Sequence, residues 1–124
     1  NGFYSQVIEG LEQVNELTSE QVNKLDANNS RADNQLAGLS TLKAMASKFN
    51  ACTAAVKEKD NQDVLDLCAR HLYEMAADVI MCHLLMQNAA KSPELFGESL
   101  RNYVRIAEAE VEKHNCWIKN TLGE

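Results

Sequence analysis

Hydrophobic residues recur at alternating steps of three and four along most of this chain, and the polar interruptions between them are short. Leu65, Cys68, Leu72, Met75, Val79, Cys82 and Met86 fall on one stripe of a helix. Ser92-Pro93-Glu94 then supplies an N-cap, a proline at the first helical position and an acid in the first turn. A second stripe follows at Leu100, Val104, Ala107, Val111, His114 and Ile118. The same reading predicts an earlier helix from about Phe3 to Leu25, with Phe3, Val7, Leu11, Val14, Val22 and Leu25 on or near one face. Thr18-Ser19-Glu20 marks a weak break in it, because hydroxyl side chains compete with the helical backbone.

The polar cluster Asp26 to Asn34 reads as the first turn and shades into the next helix near Ala32. That helix carries Leu39, Leu42, Met45, Phe49, Cys52 and Val56. The charged run Lys57 to Asp63 reads as the second turn, with Asp60 or Asp63 capping a third helix that continues to about Asn88. Ala89 to Ser92 form the third turn, and the last helix runs to Lys119 before Gly123 ends it. Helices of roughly 23 to 28 residues span about 35 to 42 Å. Short connections force neighbours antiparallel, so the predicted architecture is an all-α, antiparallel up-down four-helix bundle occupying residues 1–124 as a single domain.

Composition agrees with that pattern. One proline and five glycines leave few places to break a helix, and a 6% aromatic content without β-branched runs gives strands little material. The 45% hydrophobic share is that of a globular chain, and no apolar run approaches the roughly 20 residues of a membrane span. A formal net charge of −6 opposes nucleic-acid binding, which needs clustered cations, and no basic amphipathic face suggests anionic lipid. The four cysteines lie inside predicted helices rather than at loop staples, which favours reduced thiols in a cytoplasmic protein. The chain opens Asn1-Gly2-Phe3-Tyr4 without a methionine. We read this as a fragment of a larger protein, although removal of a leader or tag leaves the same start.

Candidate chemistry is sparse. Cys68 and His71 make a C-x2-H, Cys82 and His83 are adjacent, and His114 and Cys116 make an H-x-C. Zinc wants four converging ligands, but Cys68 and Cys82 lie on the apolar stripe while His71 and His83 flank it. Small apolar thiols in a core are the plainer reading. A di-iron bundle fails on the count of Glu-x-x-His motifs, and no C-x-x-C-H attaches haem. His114, beside Val111 and Ile118, reads as a buried, hydrogen-bonded imidazole. Glu108, Glu110 and Glu112 read as a mostly solvent-facing set, with Glu110 and His114 an ordinary helix-surface pair. Tyr73, Phe96, Tyr103 and Trp117 either line a flat pocket or fill the bundle near its ends. Isolated glycines exclude a phosphate loop. No catalytic, cofactor-binding or metal-binding residue is assigned.

Between Ala69 and Asn120, the residues Leu72-Tyr73, Val79, Leu84-Leu85, Ala89-Ala90, Phe96, Ser99, Tyr103 and Glu108-Ala109-Glu110 form a recognisable set. With them the segment resembles the extra helical domain that ends some bacterial acyl-CoA dehydrogenases. The resemblance covers the last two helices by residues and the first two by architecture only. It implies an accessory C-terminal domain of an FAD-dependent oxidoreductase that oxidises acyl-CoA thioesters between the α and β carbons. It places FAD and the catalytic carboxylate in an upstream core and none in this chain. The implied partner is that core or a neighbouring subunit, with self-association of copies as a further expectation. Two other readings stay open: a free-standing helical interaction module, and a metal sensor built on His71, His83, His114 and the cysteines. Acyl chain length is not legible.

Overall fold

The computed structural model describes residues 6, 8–16, 19–20, 23 and 39–123. Helix α1 comprises residues 8–16, with residues 6, 19, 20 and 23 also helical. Helices α2 (Leu39–Lys59), α3 (Gln62–Lys91) and α4 (Pro93–Leu122) follow. Among the described residues there is no strand. At 30 residues each, α3 and α4 are about 45 Å long.

Cross-helix contacts fix the directions. His71 meets His114 and Asp78 bonds Tyr103, so α3 and α4 run antiparallel. Cys52 meets Asn115 and Lys48 meets Glu112, so α2 and α4 run parallel. Lys57 pairs with Glu12, tying α2 to α1 at 2.9 Å. Helices α2, α3 and α4 thus alternate in direction, the up-down order expected of helices joined by short links.

The predicted stripes form the core. Leu65, Cys68, Leu72, Met75, Val79, Cys82 and Met86 of α3 are all buried, as are Leu100, Val104, Ala107, Val111 and Ile118 of α4. Leu42, Met45, Phe49, Cys52 and Val56 come from α2, and Ile8 and Leu11 from α1. Complete burial of one such leucine is worth about 1.5–3 kcal/mol relative to exposure. Phe3, Val7, Val22 and Leu25, Thr18 of the expected break, and the turn Asp26 to Asn34 lie outside the described residues. Ser19 and Glu20, also placed at that break, are helical.

The two described links are shorter than the sequence suggested. The expected turn Lys57 to Asp63 reduces to Asp60 and Asn61, because α2 continues through Lys59. Lys57 and Lys59 suit a last helical turn, where cations oppose the negative end of the helix dipole. Asp60 takes a left-handed conformation at φ 46°, tolerable for a short polar side chain, and donates its backbone N–H to Lys57 O at 3.0 Å. The cap of α3 is neither Asp60 nor Asp63 but Asn61. Its Oδ1 accepts from the N–H groups of Asp63 and Val64 at 2.8 and 3.4 Å, from an extended backbone that the left-handed Asp60 sets up.

The expected turn Ala89 to Ser92 reduces to Ser92 alone, since α3 runs on to Lys91 rather than ending near Asn88. Ser92 is the N-cap of α4 as predicted, with Pro93 behind it, but its side chain makes no cap bond. Its carbonyl accepts instead from Leu95 and Phe96. Helix α4 passes Lys119 and ends at Leu122, where Gly123 adopts φ 79°, the left-handed stop that glycine provides without strain.

Candidate functional site

The α3–α4 seam gathers the polar groups of the bundle. His71 and Glu74 stand one turn apart on the edge of α3, and Glu110, His114 and Trp117 stand on the facing edge of α4. His71 Nδ1 and His114 Nδ1 are 2.7 Å apart, and His114 Nε2 lies 2.9 Å from Glu74 Oε2. Trp117 stacks on His71 with centroids 3.9 Å apart and planes 20° from parallel. Burial pushes the pKa of both imidazoles below the ordinary histidine value, against the opposing pull of Glu74. Arg70 approaches Glu74 at 3.4 Å from the solvent side.

His114 is thus the buried, hydrogen-bonded imidazole that the sequence suggested, at 2% exposure. Its pairing differs from expectation. Glu110 lies 3.9 Å away and Glu74 of the other helix is the nearer partner, so this is no helix-surface pair. Of the three acids, Glu108 is exposed while Glu110 and Glu112 are partly buried and engaged. Glu110 pairs with Lys113 at 2.9 Å. Glu112 takes Lys48 from α2, and that hydrogen bond is the main cause holding its carboxyl down at about 2.

About two turns along α3 from His71, Asp78 bonds the hydroxyl of Tyr103. Burial raises the Asp78 pKa above the ordinary carboxylate value, and the charges of Glu110 and Glu74 add to the rise. Burial also pushes the Cys82 thiol to about 12, with the Asp78 charge adding to it. A thiol held that far from thiolate is a poor nucleophile. The four aromatic candidates do not converge on a pocket. Tyr73 is 51% exposed, Phe96 and Tyr103 pack partly against the core, and Trp117 covers His71.

The histidines and cysteines do not assemble as a set. His83 is buried, with its Nδ1 lacking a hydrogen-bond partner, and burial lowers its pKa. Cys52, Cys68 and Cys82 are buried free thiols, and Cys116 is exposed and free. Among the described residues no three His, Cys, Asp or Glu side chains are grouped to hold a metal ion. Tetrahedral ligands at about 2.0–2.1 Å from zinc stand about 3.3 Å apart, wider than the 2.7 Å between His71 and His114.

A second feature is a groove of about 1000 Å³ between α1 and α2. Glu9, Glu12, Glu16 and Asp60 line it against Lys57, and Lys57 is held by Glu12. Its walls are acidic, so it does not suit a phosphate-bearing ligand.

Sequence reading missed Glu74 as the partner of His114 and Trp117 as the cover on His71. The available signal was the pairing of His71 with Glu74 and of His114 with Trp117 at three-residue spacing, each at the margin of its stripe.

The chain matches the family model described as "Acyl-CoA dehydrogenase C terminal" over residues 1–123. The match extends through the first two helices, for which the sequence alone offered only architecture. No curated protein matches the chain. Its fold is similar to that in the crystal structure of the acyl-CoA dehydrogenase family protein from Porphyromonas gingivalis. The TM-score is 0.65 at 26% identity, over 88% of this chain and 94% of that one.

Proposed function

This chain belongs to the acyl-CoA dehydrogenase C-terminal family, and from that membership we propose that it packs as an accessory module on a flavin-dependent dehydrogenase core or a neighbouring subunit, without catalysis of its own. The observation that carries the packing role is the outward face of α3. Tyr73, Ile80, Met81 and Leu84 are 51%, 37%, 46% and 45% exposed, and with Ala77 they follow helical spacing on the side opposite the buried stripe. From Tyr73 to Leu84 this strip carries no charge. Contiguous exposed apolar surface of this kind marks an interaction face.

The parent enzyme would use FAD and act on acyl-CoA thioesters. The described residues of this chain do not fit that cofactor. The α1–α2 groove is acidic and would repel its pyrophosphate, and a loop of clustered glycines to cradle phosphate is absent from the sequence. We therefore place flavin and catalytic base in the core and derive no step here. No described helix is long and apolar enough to cross a membrane, and a cytoplasmic setting is part of the same proposal.

Two measurements test the reading. The source gene immediately upstream of the Asn1 codon is expected to encode a flavin-binding dehydrogenase core in frame, and a start codon within a few residues would overturn that. In the full-length protein, Ile80→Glu with Leu84→Glu is expected to retain flavin but release this module from its partner, seen as faster cleavage near the domain and a changed elution volume. An unchanged elution and cleavage pattern would remove the α3 face from the packing role.

A further inference from the structure

We propose that His71 and His114 form a one-proton dyad that acts as an acid-sensitive latch between α3 and α4, with Trp117 as the part it releases. Such a latch is independent of the accessory-domain reading. Two imidazole nitrogens 2.7 Å apart share a single hydrogen, because two bare lone pairs repel and two N–H groups clash at that distance. A carboxylate only accepts, so His114 Nε2, at 2.9 Å from Glu74, carries a hydrogen. Neutral His114 then has a bare Nδ1, and neutral His71 must donate to it from its own Nδ1. The chain of donors runs from His71 through His114 to Glu74, and it leaves His71 Nε2 bare.

That arrangement accepts one proton and refuses a second. Protonating His71 at Nε2 leaves its Nδ1–H donating as before. A further proton puts a hydrogen on both Nδ1 atoms, which destroys the bond and sets two cations with ring centroids 4.9 Å apart. His114 is 2% exposed and cannot turn to water while the helices stay together. His71, half-buried at the edge, is the ring that must leave, and Trp117 is stacked on it.

The charged surroundings divide evenly. Glu74 of α3 and Glu110 of α4 favour a cation, while Arg70 of α3 and Lys113 of α4 oppose it. Two of the α2 cations, Lys48 and Lys57, are held by Glu112 and Glu12. Burial lowers the pKa of both rings, in keeping with a pair that resists charging.

The test is a pH titration of the chain followed by imidazole ¹⁵N shifts and by the emission of Trp117, the single tryptophan. At neutral pH the shifts are expected to report Nδ1–H on His71 and Nε2–H on His114, and the reverse assignment would overturn the dyad. On acidification two separate uptake steps are expected below about pH 6.5, with the red shift of Trp117 emission tied to the second. In His71→Gln, which keeps an amide in place of the ring, that second step and its emission change are expected to vanish. Should the variant fold poorly, the wild-type shifts and step count still decide. Independent titration of both rings with an unchanged Trp117 spectrum would refute the latch.

Discussion

At the residue scale, depth and pairing separate groups of the same type. Cys82 is buried with its thiol pushed to about 12, whereas Cys116 is exposed beside Glu112, whose hydrogen bond also raises it. A thiol reagent is expected to label Cys116 alone in the native protein and Cys52, Cys68 and Cys82 only after denaturation, as counted by mass spectrometry. Glu112 makes a second case. Its folded pKa of about 2 lies below its unfolded value, so the stability it contributes is complete above about pH 4.5 and lost as pH falls towards 2. Lys48→Met is expected to raise the Glu112 carboxyl pKa towards the ordinary range in a ¹³C titration and to flatten this loss. An unmoved Glu112 would mean that Asn115 and Cys116 hold it without the lysine.

At the scale of elements, the two links give opposite expectations for similar-looking caps. Asn61 accepts two N–H groups at the start of α3, so Asn61→Ala is expected to cost about 1 kcal/mol in chemical denaturation. Ser92 makes no side-chain cap bond, so Ser92→Ala is expected to change stability by only a few tenths of a kcal/mol. Equal costs would mean that the Ser92 hydroxyl caps α4 in solution. The existence of α3 and α4 was legible because each buries one unbroken stripe, and so was the start of α4 at Ser92-Pro93, while the last turns of α2 and α3 were not. Lys57 to Lys59, Ala90 and Lys91 are polar or small and exposed, and Ala89 is buried but small; all are good helix formers, so a largely solvated last turn looks like a loop in sequence. The His71–His114 contact was not legible either. It joins residues 43 apart, and which side chains meet depends on the helices being separated by Ser92 alone, a length the sequence pattern overestimated.

At the scale of the whole molecule, α3 shows apolar residues to two environments, and one substitution type distinguishes them. Leu72 is fully buried and Leu84 is 45% exposed on the opposite side. Leu72→Asp is expected to abolish cooperative thermal unfolding by stranding a carboxylate in the core, while Leu84→Asp is expected to stay within about 0.5 kcal/mol of the parent in the isolated chain. Similar losses from both would mean that α3 is buried all round. The near-absence of connecting chain between α3 and α4 also bears on how the molecule reaches its native state. Two 30-residue helices divided by one residue close against each other with almost no loop entropy to overcome. Their hairpin is therefore the natural nucleus of folding. Substitutions along this seam should slow refolding, whereas those at the α1 contact should mainly quicken unfolding.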